Sequence, residues 1–372
     1  MAAQRINIEQ FLELAGHYPV IDVRSPAEYK HAHLPGAYSL PLFDDEERKV
    51  VGTTYKQQSR EQAIKIGLDF FGPKMRKMVE EVEKVCSDHE SVNNKSKIIL
   101  VYCWRGGMRS GAVSWLLDVY GFKVYTLVGG YKRFRNHVLD TFKLPFNFNI
   151  LGGYTGSGKT EVLSKLKEKG EAVVDLESIA KHKGSAFGNI GLPPQPTQEM
   201  FENLLAIELL NKINFTSPRP TQDSGLTIDD SRLPIWLEDE SQRIGLVNIP
   251  NDIWKQMRRS PVYFLDIPFE ERLIHIVEEY GKLDRQKVID AIMRIREKLG
   301  GLNAKTAIQY LEEENTIESF RILLKYYDKF YLKALHNREE VNALLHTIEC
   351  NTVTFENANR LMVQPRYQHE KP

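Results

Sequence analysis

Residues 97–110 read Lys97-Ile98-Ile99-Leu100-Val101-Tyr102-Cys103-Trp104-Arg105-Gly106-Gly107-Met108-Arg109-Ser110, an apolar run that ends in a cysteine, a glycine pair and two arginines. The run predicts a buried strand, and the apolar residues of 111–120 have helical spacing, so the segment between is a strand-to-helix turn. At such a turn backbone N–H groups and the helix N-terminus converge on one point, where they lower a thiol pKa and attract anions. Cys103 is therefore the candidate nucleophile, with Arg105, Gly106, Gly107, Met108 and Arg109 forming an anion cradle. Read alone, this loop supports sulfur transfer and phosphate-ester cleavage equally.

The chain has 372 residues. That exceeds the size at which one core stops growing, so two domains are expected. Fifty basic residues balance fifty acidic ones, for a formal net charge of zero. A nucleic-acid partner would then have to be held by a local patch. Cys86, Cys103 and Cys350 are too few and too scattered for a disulfide framework or a Cys-x-x-Cys metal site, which points to a reducing cytoplasm. The first residues lack the apolar core of a signal peptide, and no run approaches a membrane span. A cytoplasmic monomer with no membrane association is the expectation.

In the first part, Ile8, Phe11, Leu12 and Leu14 open an amphipathic helix. Residues 18–23 form a strand ending at Asp22-Val23-Arg24, a charged pair that either orients a neighbouring loop or sits as a surface ion pair beside a turn. His31 and His33 occupy a turn with no third metal ligand nearby. Residues 39–41 read as a further sheet edge, and 123–128 as a strand entering Gly129-Gly130-Tyr131. The blocks Val20 to Tyr29, His33-Leu34-Pro35-Gly36-Ala37 and the cysteine loop, in that order, resemble a rhodanese domain. Five residues separate Cys103 from Arg109, where the common sulfurtransferase loop has four. The larger loop is similar to that of the cysteine phosphatases sharing the fold, and suits a tetrahedral, phosphate-like anion.

Residues 132–143 are rich in basic side chains and Pro145 breaks the pattern, so 136–145 is expected to be a basic linker. Residues 146–151 then form a strand entering Gly152-Gly153-Tyr154-Thr155-Gly156-Ser157-Gly158-Lys159-Thr160 and a helix. Gly153, four residues, then Gly158-Lys159-Thr160 is the phosphate-binding loop signature. Its glycines let N–H groups close on phosphate oxygens, Lys159 neutralises charge and the Thr160 hydroxyl reaches a Mg²⁺ ion. Gly153, Gly156, Ser157, Gly158, Lys159 and Thr160 are the candidate phosphate or diphosphate residues. Residues 172–177 read as the next strand, with Asp175 either a Mg²⁺ carboxylate or a helix N-cap. Residues 182–188 and 193–197 are Gly/Pro-rich loops long enough for a lid. Glu238-Asp239-Glu240 reads as solvated surface.

Residues 261–266 form another buried strand, and 272–280, 285–299, 305–314 and 317–335 show helical periodicity. Seven lysines or arginines stand against three acids between Lys282 and Lys305. This basic surface and Tyr326, Tyr327, Phe330 and Tyr331 either track and stack on RNA or, for the aromatics, belong to a core. From 346 to 372 a polar, poorly ordered tail is expected.

A cysteine, five residues, arginine loop on a rhodanese domain, joined to a phosphate-loop domain, resembles the bacterial tRNA 2-selenouridine synthases. The resemblance runs on through Asp175-Leu176-Glu177, Gly184 to Gly188, Glu238 to Gly245 and Tyr326-Tyr327-Asp328. It implies an α/β fold: an N-terminal rhodanese-like α/β domain (1–135), a P-loop NTPase-like α/β domain (146–268) and a helical C-terminal part (269–345). It implies a transferase that converts wobble 2-thiouridine of tRNA to 2-selenouridine with selenophosphate, through an S-geranyl intermediate made from geranyl diphosphate. The Cys103 to Arg109 loop would then take selenophosphate, and Gly153 to Thr160 the diphosphate, with no tightly bound cofactor beyond Mg²⁺ at Thr160 and Asp175. The alternative is a cysteine-dependent phosphatase or sulfurtransferase fused to a nucleotide-binding regulatory domain. Against the phosphatase stand Tyr102, at the position of its usual histidine, and the lack of an obvious general-acid aspartate after the loop.

Overall fold

The computed structural model describes residues 3–88, 97–216 and 233–363, and the chain divides into two compact units, Met1–Thr141 and Phe142–Pro372. The first unit begins β1 (Gln4–Ile6), α1 (Ile8–Ala15), β2 (Val20–Asp22), α2 (Pro26–His31), β3 (Tyr38–Ser39), α3 (Asp45–Gln57), α4 (Arg60–Phe71) and α5 (Met75–Asp88). It closes with β4 (Ile98–Tyr102), α6 (Met108–Tyr120), β5 (Lys123–Leu127) and α7 (Gly130–Thr141). All five strands are parallel, in the order β1-β5-β4-β2-β3. Helices cover such a sheet on both faces, so its central strand is apolar without alternation. Ile99, Leu100 and Val101 of β4 are accordingly all buried, Ile99 and Val101 packed with Ile21, Val113, Leu117 and Val124 and with Val79 and Val82 of α5. The register pairs Asp22 with Tyr102. The carboxyl ends of β2 and β4 thus lie side by side, at the edge where parallel sheets place their sites.

One expectation changes here, and one open alternative is decided. The basic stretch 136–145 is not a linker in its first half, because α7 continues to Thr141. Tyr131, Phe134, Val138 and Thr141 recur at helical spacing and are buried, while Lys132 and Arg133 occupy the exposed face. The charge is that of an amphipathic helix's outer surface. The Asp22–Arg24 pair is not on the surface either: both side chains are fully buried.

The second unit begins β6 (Phe148–Gly153), α8 (Lys159–Glu168), β7 (Ala172–Val173), α9 (Leu176–Ala180), α10 (Gln198–Thr216), β8 (Ile235–Glu238), β9 (Arg243–Ile244), β10 (Val247–Asn248), α11 (Asn251–Arg258) and β11 (Val262–Asp266). Helices α12 (Phe269–Tyr280), α13 (Arg285–Arg294), α14 (Arg296–Leu299), α15 (Gly301–Glu312), α16 (Thr316–His336) and α17 (Val341–Leu344) follow, then β12 (Leu345–Glu349) and α18 (Asn357–Val363). The main sheet is parallel, in the order β12-β11-β6-β8-β7. Its central strand β6 feeds the glycine-rich loop. Helices α12 to α16 pack around Phe187, Leu273, Ile292, Ala307, Phe320 and Leu324.

The tail expected over 346–372 is structured as far as the described residues reach. β12 extends the sheet beside β11, and Cys350, Ala358 and Leu361 are buried with Leu163 and Leu166 of α8. Residues 364–372 lie outside the described residues. The helical part therefore returns into the sheet. No helix among the described residues is long and apolar enough to cross a membrane.

Candidate active sites

In the first unit Cys103 is the first residue after β4 and is 3% exposed. Burial alone would raise its thiol. Hydrogen bonds from the Ser110 hydroxyl and from the backbone of Ser110, Gly107 and Arg105 outweigh that and pull it below the ordinary thiol value. The Ser110 oxygen stands 3.2 Å from Cys103 Sγ and 3.1 Å from the Gly107 carbonyl oxygen. Its single proton serves one acceptor at a time, and a thiolate is the stronger one.

The loop is held from behind by the start of α7. The amides of Tyr131 and Lys132 donate to the carbonyls of Cys103 (2.8 Å) and Trp104 (3.0 Å). Gly106 and Gly130 both have positive φ, and a Cβ on Gly130 would lie 2.3 Å from the Cys103 carbonyl oxygen. Only glycine permits this approach. Beneath the loop, Arg24 grips Asp22 at 2.6–3.0 Å and donates to the Ala32 carbonyl at 2.7 Å. The Tyr102 hydroxyl donates to Asp22 (2.7 Å) and accepts from the Leu34 amide (3.1 Å). The Arg24 guanidinium also lies 3.8 Å from the centre of the Tyr131 ring.

The two loop arginines separate. Arg105 is exposed and makes no ion pair among the described residues. Arg109 is clamped by both oxygens of Glu28, at 2.5 and 3.2 Å. Glu28 also accepts from the Ser25 amide in the capping box of α2. Burial opposes its ionisation, but the Arg109 hydrogen bond and charge hold it below the usual carboxylate range. It is therefore no proton donor near neutrality, and Tyr102 is fully committed. Neither supplies the general acid that phosphatase chemistry needs.

In the second unit the glycine loop joins β6 to α8. Lys159 Nζ donates to the Gly153 carbonyl at 3.2 Å. The Ser157 hydroxyl is buried with no hydrogen-bond partner among the described residues. A Cβ at Gly156 would meet Ile276 of α12 at 2.6 Å, and one at Gly158 would meet Val353 at 2.7 Å. Helix α16 braces the loop. The Tyr331 hydroxyl accepts the Gly153 amide (3.1 Å) and donates to Asp239 (2.7 Å), which Arg338 also binds. Arg272 donates to the Thr155 carbonyl (3.1 Å) while paired with Asp328 at 2.8–2.9 Å. Tyr327 accepts the Ala186 amide at 3.3 Å. Tyr327 and Tyr331 are thus structural posts, not bases' stacking partners.

The strand expected over 172–177 ends at Val173, and Asp175 caps α9 by accepting the Ser178 amide at 2.7 Å. Glu238, taken for solvated surface, is fully buried at the end of β8. Burial and the neighbouring Asp175 charge push its carboxyl well above the ordinary range. Glu240 is raised well by burial and by Glu177, and Glu177 is raised by burial against the opposing charge of Lys159. Glu238 and Glu240, which composition alone assigns to solvated surface, are thus a buried and a half-buried acid, the second close enough to Lys159 for that charge to act on it. The apolar run Ile235-Trp236-Leu237 before Glu238 is the signal that marks a strand end there. Among the described residues no group of three or more His, Cys, Asp or Glu side chains is placed to hold a metal ion.

Comparison with known proteins covers both units. Residues 146–353 match the model of the tRNA 2-selenouridine synthase AAA domain, and residues 7–137 that of the rhodanese-like domain. A tRNA 2-selenouridine synthase of Nitrosomonas europaea is 32% identical, over 86% of this chain and 90% of that protein. One from Bdellovibrio bacteriovorus is 32% identical, over 91% and 94%. One from Hydrogenovibrio crunogenus is 34% identical, over 84% and 88%.

Proposed function

The chain belongs to the tRNA 2-selenouridine synthase family, and from that premise we propose that this transferase converts wobble 2-thiouridine of tRNA to 2-selenouridine, using selenophosphate and passing through S-geranyl-2-thiouridine made from geranyl diphosphate. The observation that carries the reading is the pairing, in one chain, of an activated thiol in an amide-lined loop with a lysine-bearing phosphate loop.

In the first step the thiocarbonyl sulfur attacks C1 of the geranyl group. The C–O bond breaks, diphosphate leaves and the N3 proton passes to solvent. Gly153, Gly156, Ser157, Gly158, Lys159 and Thr160 receive the diphosphate. Turning away from the Gly153 carbonyl, Lys159 meets its charge, and the unpaired Ser157 hydroxyl gains an acceptor. A Mg²⁺ ion held by Thr160 and Asp175 would neutralise the leaving group.

In the second step selenium adds at C2 of the alkylated base and geranylthiol departs, while the Se–P bond is hydrolysed to release phosphate. Selenophosphate sits in the loop of Arg105, Gly106, Gly107, Met108 and Arg109, with Arg105 and the loop amides as donors. Arg109, neutralised by Glu28, fixes the loop's shape. The Cys103 thiolate attacks the phosphorus of selenophosphate, so that an S–P bond forms as the Se–P bond breaks, hydroselenide is freed to add at C2, and water then cleaves the S–P bond to release phosphate and restore the thiol. We place the reaction in the cytoplasm, where the three free cysteines stay reduced.

The test is to incubate the pure protein with 2-thiouridine-containing tRNA, geranyl diphosphate and selenophosphate, and to resolve the nucleosides by mass spectrometry. Both S-geranyl and 2-seleno products are expected. The absence of both overturns the reading.

A further inference from the structure

Beside the Cys103 loop the first unit opens a pocket of about 370 Å³ lined by Arg24, Ala27, Glu28, His31, Arg48 and Trp104. None of the steps above uses it. Its volume falls at the lower end of small-ligand sites. Two of its features lack occupants. Trp104 is 39% exposed although it directly follows the nucleophile. Its indole is held at the inner side, 5.7 Å from the Tyr131 ring and 5.9 Å from the Arg24 guanidinium. Its backbone is pinned through the Lys132 amide. A rigid aromatic ring with solvent over part of its surface is a stacking platform. Arg48 faces Glu28 as a loose ion pair at 3.9 Å, beyond hydrogen-bond range, and its side chain is 39% exposed, with no hydrogen bond at Nε among the described residues. A planar guanidinium held this loosely keeps N–H donors for an incoming acceptor.

We infer that this pocket receives the target pyrimidine of the RNA, unstacked from its loop, with the base lying on Trp104 and its O4 oxygen accepting from Arg48. The inference rests on the proposed tRNA substrate and names the residues that would hold it at the thiol. Single-stranded RNA bases are commonly read in this way, splayed out onto aromatic rings with their polar edges hydrogen-bonded. An enzyme acting on a ring atom must in any case take the base out of its stack. Trp104 directly follows Cys103 in the chain, so a base on the indole lies against the loop that carries the nucleophile. Glu28, saturated by Arg109 and Ser25, contributes a wall and no further acceptor. The competing occupant of a pocket with two arginines is a backbone phosphate.

A mutant cycle separates the two. Affinities of full-length wild-type and Trp104→Ala protein are measured for an anticodon stem-loop RNA with 2-thiouridine at the wobble position, and for the same RNA with an abasic nucleotide there. Stacking on an aromatic side chain predicts that Trp104→Ala weakens binding of the first RNA by about tenfold. It leaves the abasic RNA unchanged, and Trp104→Phe recovers most of the loss. Arg48→Ala is expected to show the same selectivity. Equal weakening of both RNAs by Arg48→Ala assigns the pocket to a phosphate and overturns the inference. So does a Trp104→Ala protein that binds both RNAs as the wild type does, or loses both equally. The binding assay contains neither geranyl diphosphate nor selenophosphate, so its failure is distinct from failure of the proposed reaction.

Discussion

A thiol enclosed by protein resists ionising, yet the Cys103 thiol lies below its ordinary value because the loop aims the Ser110 hydroxyl and several amides at the sulfur. Cys86 is the internal contrast: half-buried and without such donors, its thiol is raised by burial and by the Glu83 charge. The thiolate is the reactive form, so a lowered value moves reaction onset to lower pH and a raised one to higher pH. Alkylation by iodoacetamide, followed by peptide mapping across pH, should therefore reach half-maximal rate at Cys103 at a lower pH than at Cys86. Ser110→Ala should move the Cys103 midpoint upward. A Cys103 midpoint at or above that of Cys86 would contradict the assigned activation. The sequence made this residue legible because strand, glycines and helix are contiguous with it. It did not reveal that Arg109 is spent on Glu28, 81 positions earlier, or that Tyr102 props Asp22 from 80 positions away. Both depend on β2 and β4 being neighbours, and nothing local encodes that.

The same contrast between local and distant signals recurs among the elements. Strands β4, β6 and β11 and helices α12 to α16 announce themselves by apolar runs or by 3.6-residue spacing. Helices α3 and α4 are hard to read locally because they mix polar residues into weakly amphipathic faces, whereas α5 buries Met78, Val79 and Val82 on one clear face and was legible in principle. β12 and α18 were hidden more thoroughly. The buried residues in and between them, Ile348, Cys350, Ala358 and Leu361, are sparse, and become a pattern only once β11 and α8 stand beside them. The consequence is testable. A chain ending at Glu349 loses Cys350, Ala358 and Leu361, and Leu361 alone represents about 1.5–3 kcal/mol of burial. It also loses Val353, which lies against Gly158 of the phosphate loop. Thermal denaturation should show a clearly lowered midpoint for the second unit, and the Cys103 alkylation profile of the first should stay unchanged. A chain ending at Val363 retains these contacts. If the two truncations melt alike, the C-terminal elements do not stabilise the sheet.

At the scale of the molecule, each unit carries its own parallel sheet, its own core and its own strand-loop-helix junction suited to an anion. Formal net charge is zero, so the whole chain supplies no general attraction for RNA, and binding must come from local features. A division of labour follows from chemistry. Displacing diphosphate needs charge neutralisation and no soft nucleophile, whereas handling selenium needs a thiolate and no lysine loop. Cys103→Ser removes the thiolate while leaving Lys159 and its surroundings intact. It should abolish 2-selenouridine, and S-geranyl-2-thiouridine should accumulate. Lys159→Ala removes the cation proposed to face the diphosphate. It should depress geranylation first, with selenation falling only because its substrate is missing, and tRNA geranylated beforehand should restore selenation to the Lys159→Ala protein. Following both nucleosides by mass spectrometry over time separates these outcomes. If Lys159→Ala changes neither step, the diphosphate does not occupy the glycine loop. If Cys103→Ser blocks geranylation as well, the two loops do not act on separate steps, and one constellation must serve both.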